Sequence, residues 1–432
     1  MEQPNVTHDG DAALTPTFWL AVGLTGVATG LFGDFLMWVL QVFEHLGFAY
    51  NTGSFQDAVA AISRVRRVVV LVISGLFGAL AWYLIRRYLK REHAEIDDAL
   101  WNGDGELGLR RSFLTSVVSE IVIGLGASLG REAAPKLMGG VSGSVVSHWL
   151  HLSVAQKRLL VACGGGAGLA AVYNVPLGGA IFTAEVLYGS FSLTVALPAL
   201  ATSLIATFVA WLYLPGGATY VDIPDYRFSA SLMVWSLVAG VLIGLLAVFY
   251  VRLIGWVSHY RARGAAIFWM MPLGFAVVGV AGIWYPQLFG NGKDMAHEAF
   301  LGLGGVGLLL ALFILKPLVT ALTIGVGASG GVFTPLLSTG AVLGGFLGVA
   351  WVHLWPGTPI GAFAIIGAAA MIGSSMQAPL TGLVLVMELT HNGFSIMVPM
   401  MLATVIATLI VRHLDGYSIY SARLPRHDVA TG

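Results

Sequence analysis

Apolar stretches fill most of the chain and are cut by short polar, glycine-rich or proline-containing breaks. In the first half, windows suited to helices run over 17–40, 67–88, 112–127, 136–150, 158–171, 176–194 and 195–214. In the second they run over 231–256, 266–284, 303–325, 332–353, 359–375, 379–390 and 394–412. Several are shorter than the ~20 residues that cross a hydrocarbon core about 30 Å thick. In a membrane such interrupted half-helices persist only where protein buries them or where they line a polar cavity. The pattern predicts an all-α polytopic membrane protein of the channel or transporter kind.

Composition leads to the same place. Of 432 residues, 57% are hydrophobic and 10% charged, against roughly 25% charged in an average soluble domain. A soluble chain of this size would lack the polar residues to cover its surface. The 22 basic and 22 acidic residues balance, so no basic excess points to nucleic acid. The single cysteine, Cys163, excludes an intramolecular disulfide and reads as a small buried hydrophobe. The stretch before Pro16 is acidic and polar, unlike a cleavable signal peptide. Basic residues gather at Arg64, Arg66 and Arg67, and at Arg86, Arg87, Lys90 and Arg91, where the positive-inside rule predicts cytoplasm. Between Glu298 and Glu388 there is no acid, and Lys316 is the only Lys or Arg.

The two halves repeat each other. Asn174-Val175-Pro176-Leu177-Gly178-Gly179, ending at Glu185, returns as Gln377-Ala378-Pro379-Leu380-Thr381-Gly382, ending at Glu388. Upstream, Gly126-Ala127-Ser128 leads to Gly130 and Pro135, as Gly327-Ala328-Ser329 leads to Gly330 and Pro335. In transporters such duplication often means inverted topology, with the site between the repeats. Two glycine-rich turns therefore stand at matching places, Gly130-Arg131-Glu132-Ala133-Ala134-Pro135 and Gly330-Gly331-Val332-Phe333-Thr334-Pro335. Glycine lets the backbone approach a ligand closely, and proline suits the first turn of the helix that follows. Free amides at a helix start favour an anion. Glu132, a carboxylate within such a turn, reads as a tethered anion competing with a mobile one, released when protonated. Intramembrane acids are functional by default.

Other signals carry less. Gly325-x-Gly327-x-x-Gly330 fits a dinucleotide fingerprint, but no carboxylate follows at the spacing a ribose needs. Gly164-Gly165-Gly166-Ala167-Gly168 reads as close helix packing. The eleven histidines show no metal-binding spacing, and Ser128 and Ser329 lack the histidine partner of a hydrolase. Glu185 and Glu388 read as structural caps or pairs at helix ends. No metal, cofactor or enzymatic activity is expected.

Over roughly 17–424 the chain resembles the CLC family of chloride channels and proton-coupled chloride exchangers. G-R-E-A-A-P is similar to that family's G-R/K-E-G-P motif, which places the gating glutamate at Glu132. G-V-F-T-P at Gly331–Pro335 is similar to its G-x-F-x-P motif. The resemblance implies anion binding by backbone amides at Arg131, Glu132, Val332, Phe333 and Thr334. Ser418-Ile419-Tyr420-Ser421 is similar to the segment with the pore tyrosine, which implies Tyr420 as hydroxyl donor and Tyr417 as its substitute. It further implies two inverted-topology repeats of tilted and partial-span helices, and a homodimer with one pore per subunit.

Three departures follow. The family's G-S-G-I-P turn aligns with Lys90-Arg91-Glu92-His93-Ala94, so the serine is lost and Lys90 or Arg91 stands at the inner mouth, either drawing anions or as ordinary cytoplasmic charge. Ala133 replaces a glycine of the gating turn. Val186 follows Glu185 where many exchangers carry a proton-relaying glutamate. Valine carries no proton, so the sequence leans to a passive, glutamate-gated chloride channel; a proton-coupled antiporter fed through water or Glu120 is the alternative. A cation-coupled symporter or an intramembrane enzyme is remote. The expected organisation is a tail at 1–16, a first membrane repeat at 17–214, a linker at 215–230, a second repeat at 231–424 and a tail at 425–432. With twelve residues after Tyr420 there is no room for cytoplasmic regulatory domains, which points to a prokaryotic inner membrane.

Overall fold

Hydrogen-bonding demand in lipid decides the secondary structure: each backbone N–H and C=O must be met within the chain, and helices do this locally. The computed structural model describes residues 12–89 and 95–424. Helices α1 (Pro16–Phe48), α2 (Phe55–Ala61), α3 (Arg64–Tyr88), α4 (Ile96–Trp101) and α5 (Leu109–Gly124) come first. They lead into α6 (Ala133–Trp149), α7 (Val154–Tyr173), α8 (Pro176–Phe182) and α9 (Leu193–Ala210). The second half holds α10 (Ala230–His259), α11 (Ile267–Trp284), α12 (Lys293–Phe300) and α13 (Val306–Gly325). It closes with α14 (Phe333–Val352), α15 (Ile360–Met376), α16 (Pro379–Thr390) and α17 (Met397–Leu414). Among the described residues, eight helices are long and apolar enough to cross a membrane. The apolar windows anticipated every long helix. They missed α2, α4 and α12, whose six to eight residues are too short and polar to register. The window 176–194 is split: α8 runs into a π-helical turn, Thr183–Tyr188, and Gly189 at φ 76° breaks the chain before α9.

The halves are related as an inverted repeat. Helix α1 packs on α9 as α10 packs on α17, and α6 on α7 as α14 on α15. Helix α7 ends on Asn174 and α15 on Gln377, both at φ 56°. The reciprocity is clearest at the recurrent glutamates. Glu388 accepts from the amides of Leu177 (3.1 Å) and Gly178 (2.5 Å) in the first turn of α8. Glu185 accepts from the amides of Leu380 (3.2 Å) and Thr381 (2.7 Å) in the first turn of α16. Each half thus caps a helix of the other, where a carboxylate also meets the positive end of the helix dipole. Glu388→Ala leaves two amides without their acceptor, and we expect it to cost about 2–4 kcal/mol, read as earlier thermal unfolding in detergent. An unchanged melting curve would show that the cap contributes nothing.

Glycine sets the closest approaches. A Cβ on Gly139 would strike the Gly164 carbonyl, and one on Gly164 the Gly139 carbonyl, so α6 and α7 meet backbone to backbone. In the second half a Cβ on Gly367 of α15 would come within 2.5 Å of the Gly340 carbonyl of α14. The glycine-rich run at 164–168 is therefore packing, as its sequence suggested. These contacts draw α6 and α14 into the middle of the protein, where their starts meet.

Candidate functional site

Helix α5 stops at Gly124 and α6 starts at Ala133; α13 stops at Gly325 and α14 starts at Phe333. The two intervening turns lie against each other. Gly130 N–H donates to the Gly331 carbonyl (2.7 Å) and Gly331 N–H to the Gly130 carbonyl (2.9 Å). The register pairs Gly130 with Gly331, one place on from the match suggested by sequence. Flanking groups hold the irregular backbone: Ser119 Oγ donates to Ser329 O (2.9 Å) and Arg86 Nη2 to Gly327 O (2.7 Å). Ser128 Oγ pairs with Thr320 Oγ1 at 3.3 Å, and Arg86 Nη2 also reaches Ser329 Oγ at 3.2 Å.

Glu132 lies between these turns and is 5% exposed. Its Oε1 accepts from Phe333 N–H at 2.7 Å, the amide that opens α14. Its Oε2 accepts from Thr334 Oγ1 (3.3 Å) and Tyr173 OH (3.4 Å), which are 2.6 Å from each other. A Cβ on either Gly130 or Gly331 would overlap this carboxylate, so the two glycines form a slot that only hydrogen leaves open. A helix N-terminus with a free amide is a general anion position. Here a side chain from the other half occupies it.

Cavities lie on both sides. On one side a space of about 130 Å³ is bordered by Glu44, Gln56, Ile123, Arg131, Lys293 and Asp294. On the other, a space of about 100 Å³ is bordered by Arg86, Arg111, Lys136, Arg261, Arg423 and the acids Glu95 and Asp97. Helix α5 borders both: Arg111 and Ser119 line the second cavity and Ile123 the first, so the nearest lining residues, Ser119 and Ile123, are about 6 Å apart along its axis. Immediately beneath Glu132 is a chamber of about 30 Å³ bordered by Lys136, Phe182, Val332, Phe333, Tyr420 and Arg423. That volume admits one small occupant.

The structure therefore brings Glu132, Val332, Phe333 and Tyr420 together around one chamber, with Thr334 engaged through its hydroxyl. Tyr420 borders the chamber, whereas Tyr417 is 40% exposed. Arg131 turns the other way: its guanidinium stacks over the Tyr173 ring at 5.0 Å and borders the first cavity. Val186 is buried in the hydrophobic core, on the π-helical turn beside the cap Glu185. Glu120 is fully buried, and neither carboxylate oxygen has a hydrogen-bond partner among the described residues. Lys90 and Arg91 lie outside the described residues, as do most of the tail 1–16 and all of 425–432. Sequence reasoning missed Tyr173, Lys136, Asp97 and Arg423. The available signal was Lys136, a charge directly after the gating turn inside an apolar segment.

The sequence profile described as Voltage gated chloride channel matches residues 77–412. A ClcB-like protein of Ralstonia nicotianae is 31% identical over 84% of this chain and 86% of its own. The H(+)/Cl(-) exchange transporter ClcA of Cronobacter sakazakii is 30% identical over 95% of this chain and 90% of its own. Among solved structures, a slow cyanobacterial Cl-/H+ antiporter superposes with a TM-score of 0.83 at 23% identity, covering 94% of this chain and 97% of its own. A CLC-type fluoride/proton antiporter gives 0.76 at 21%, with the same coverage. The inverted repeat, the paired glycine turns and the profile match together place this integral membrane protein in the voltage-gated chloride channel family, the CLC family.

Proposed function

We propose that the protein exchanges chloride, or a similar small monovalent anion, for protons across a bacterial inner membrane. The observation that carries this reading is the Glu132 carboxylate seated on the Phe333 amide between two cavities. In that seat it holds the place of a mobile anion. Protonation removes its charge, weakens its hold on the amide and frees the seat. One residue then alternates between blocking the anion and carrying a proton, which couples the two fluxes. Val332, Phe333 and Tyr420 line the waiting position beneath it. The arginine-lined cavity faces the cytoplasm by the positive-inside rule and draws anions in. Two halves spanning 17–214 and 231–424 enclose one pore, and two such chains form a homodimer.

Exchange displaces the channel reading to which the sequence leaned. The Cronobacter sakazakii relative, aligned over 95% of this chain, is named for H(+)/Cl(-) exchange. Passive conduction keeps one specific support, Val186 at the proton-relay position. Glu120 offers exchange another buried acid, on the same helix as Arg111 and Ile123 and electrostatically linked to Arg131 and Glu132. The deciding measurement is the zero-current potential of purified protein in liposomes under a chloride gradient with a superimposed pH gradient. Exchange predicts a potential that moves with the pH gradient. A potential fixed at the chloride equilibrium value would establish passive conduction and make Val186 its explanation.

A further inference from the structure

Lys136 occupies the first turn of α6, where a cation opposes the positive end of the helix dipole. Its side chain is 12% exposed, so solvent offsets little of that cost. The one acceptor that meets its ammonium among the described residues is Asp97 Oδ2, at 2.8 Å. Its other N–H donors meet no oxygen acceptor among the described residues. The ammonium stands 4.4 Å from the centre of the Tyr420 ring and 5.9 Å from that of Phe182, both of which border the chamber under Glu132. Asp97 is 4% exposed, and its other oxygen, Oδ1, is buried with no hydrogen-bond partner among the described residues. A pair built for stability alone would give these donors oxygen acceptors and satisfy this carboxylate oxygen. Lys136 borders both the chamber and the arginine-lined cavity, so an anion passing between them passes its ammonium.

We infer that Lys136 and Asp97 form a second exchangeable anion position, in which the ammonium is the anion ligand and Asp97 is the tethered anion that fills it when no free anion does. The arrangement mirrors the upper one: Glu132 competes for the Phe333 amide, and Asp97 competes for the Lys136 ammonium. An incoming chloride takes the unused N–H donors and displaces the Asp97 carboxylate towards the arginine-lined cavity it already borders. Lys136 thereby supplies, in this chain, a polar ligand below the chamber, and Asp97 sets how tightly an anion is held there. The inference rests on the anion-transport reading of the site.

The test is calorimetric titration of the full-length protein in detergent with chloride, alongside chloride efflux from liposomes, for the parent, Asp97→Asn and Lys136→Met. Removing the competing charge is expected to tighten chloride binding about fivefold, and removing the ammonium to weaken it about tenfold, the range of one charge-assisted hydrogen bond. The double variant should bind as weakly as Lys136→Met. A merely structural pair gives the opposite signature: Asp97→Asn binds no tighter, and the double variant recovers parental affinity. Either of these results overturns the inference. Should Asp97→Asn fail to yield monodisperse protein, Lys136→Met decides alone, since unchanged affinity there overturns it equally. A parent protein that neither binds nor moves chloride would instead sink the transport reading itself.

Discussion

Glu132→Gln is expected to raise chloride flux at neutral pH by about twofold to thirtyfold and to remove its dependence on pH. The carboxylate is held by Phe333 N–H at 2.7 Å, with Thr334 and Tyr173 on its second oxygen. Hydrogen bonds to a charged acceptor contribute about 1.5–3 kcal/mol, against about 1 for a neutral one. Glutamine keeps the shape and loses the charge, so an anion displaces it more readily at every pH. In the parent the sign is fixed by the same contact. Lowering the pH protonates the carboxylate, its hold on the amide weakens, and flux rises. Glutamine cannot take up that proton, so the pH gradient should also lose its influence on the zero-current potential. Efflux and potential measured from pH 5 to 8 provide the check. A variant with parental flux and parental pH dependence would remove Glu132 from the pathway.

Gly331→Ala is expected to open the same gate without touching its charge. A methyl group there would overlap Glu132 Oε1 and lie 2.9 Å from the Gly130 carbonyl. The backbone at Gly331 has no positive φ, so alanine meets no conformational penalty and acts through space alone. The Gly130 carbonyl must shift by a few tenths of an ångström, whereas the carboxylate must leave its slot. Flux at neutral pH should rise about tenfold, the cost of that charge-assisted contact. Gly305→Ala is the control, since nothing lies within 4 Å of its added methyl. If Gly331→Ala folds with a parental melting curve and conducts no faster, the slot does not hold the gate shut.

Legibility from the sequence varied with the range of the interaction. The G-R-E-A-A-P turn, the G-V-F-T-P segment and Tyr420, which meet at one chamber, stood out because each is a short contiguous motif with a local backbone requirement. The role of Glu185 and Glu388 as helix caps was also readable, from their recurrence in register. Their partners were not, because each cap acts on a helix of the other half. Tyr173 and Asp97 gave no signal at all. One is an aromatic residue ending an apolar helix, the other one of three nearby acids. Only packing shows that Tyr173 closes over Glu132 and that Asp97, rather than Glu95 or Asp98, meets Lys136.

Composition and pattern alone were enough to show that this chain lives in a bilayer, that it is helical, that it is built twice over, and that an acid sits in one of its two glycine-rich turns. Those are consequences of composition and local backbone chemistry, since lipid supplies no hydrogen bonds and forces the backbone to satisfy itself within each segment. The tertiary structure decided which atoms share the chamber. Phe333 and Glu132 meet because the glycines of α6, α7, α14 and α15 let helices touch at their backbones and bring two distant turns into a mutual bridge. Such contacts depend on the three-dimensional register of close-packed surfaces, and no local pattern in the chain encodes that register.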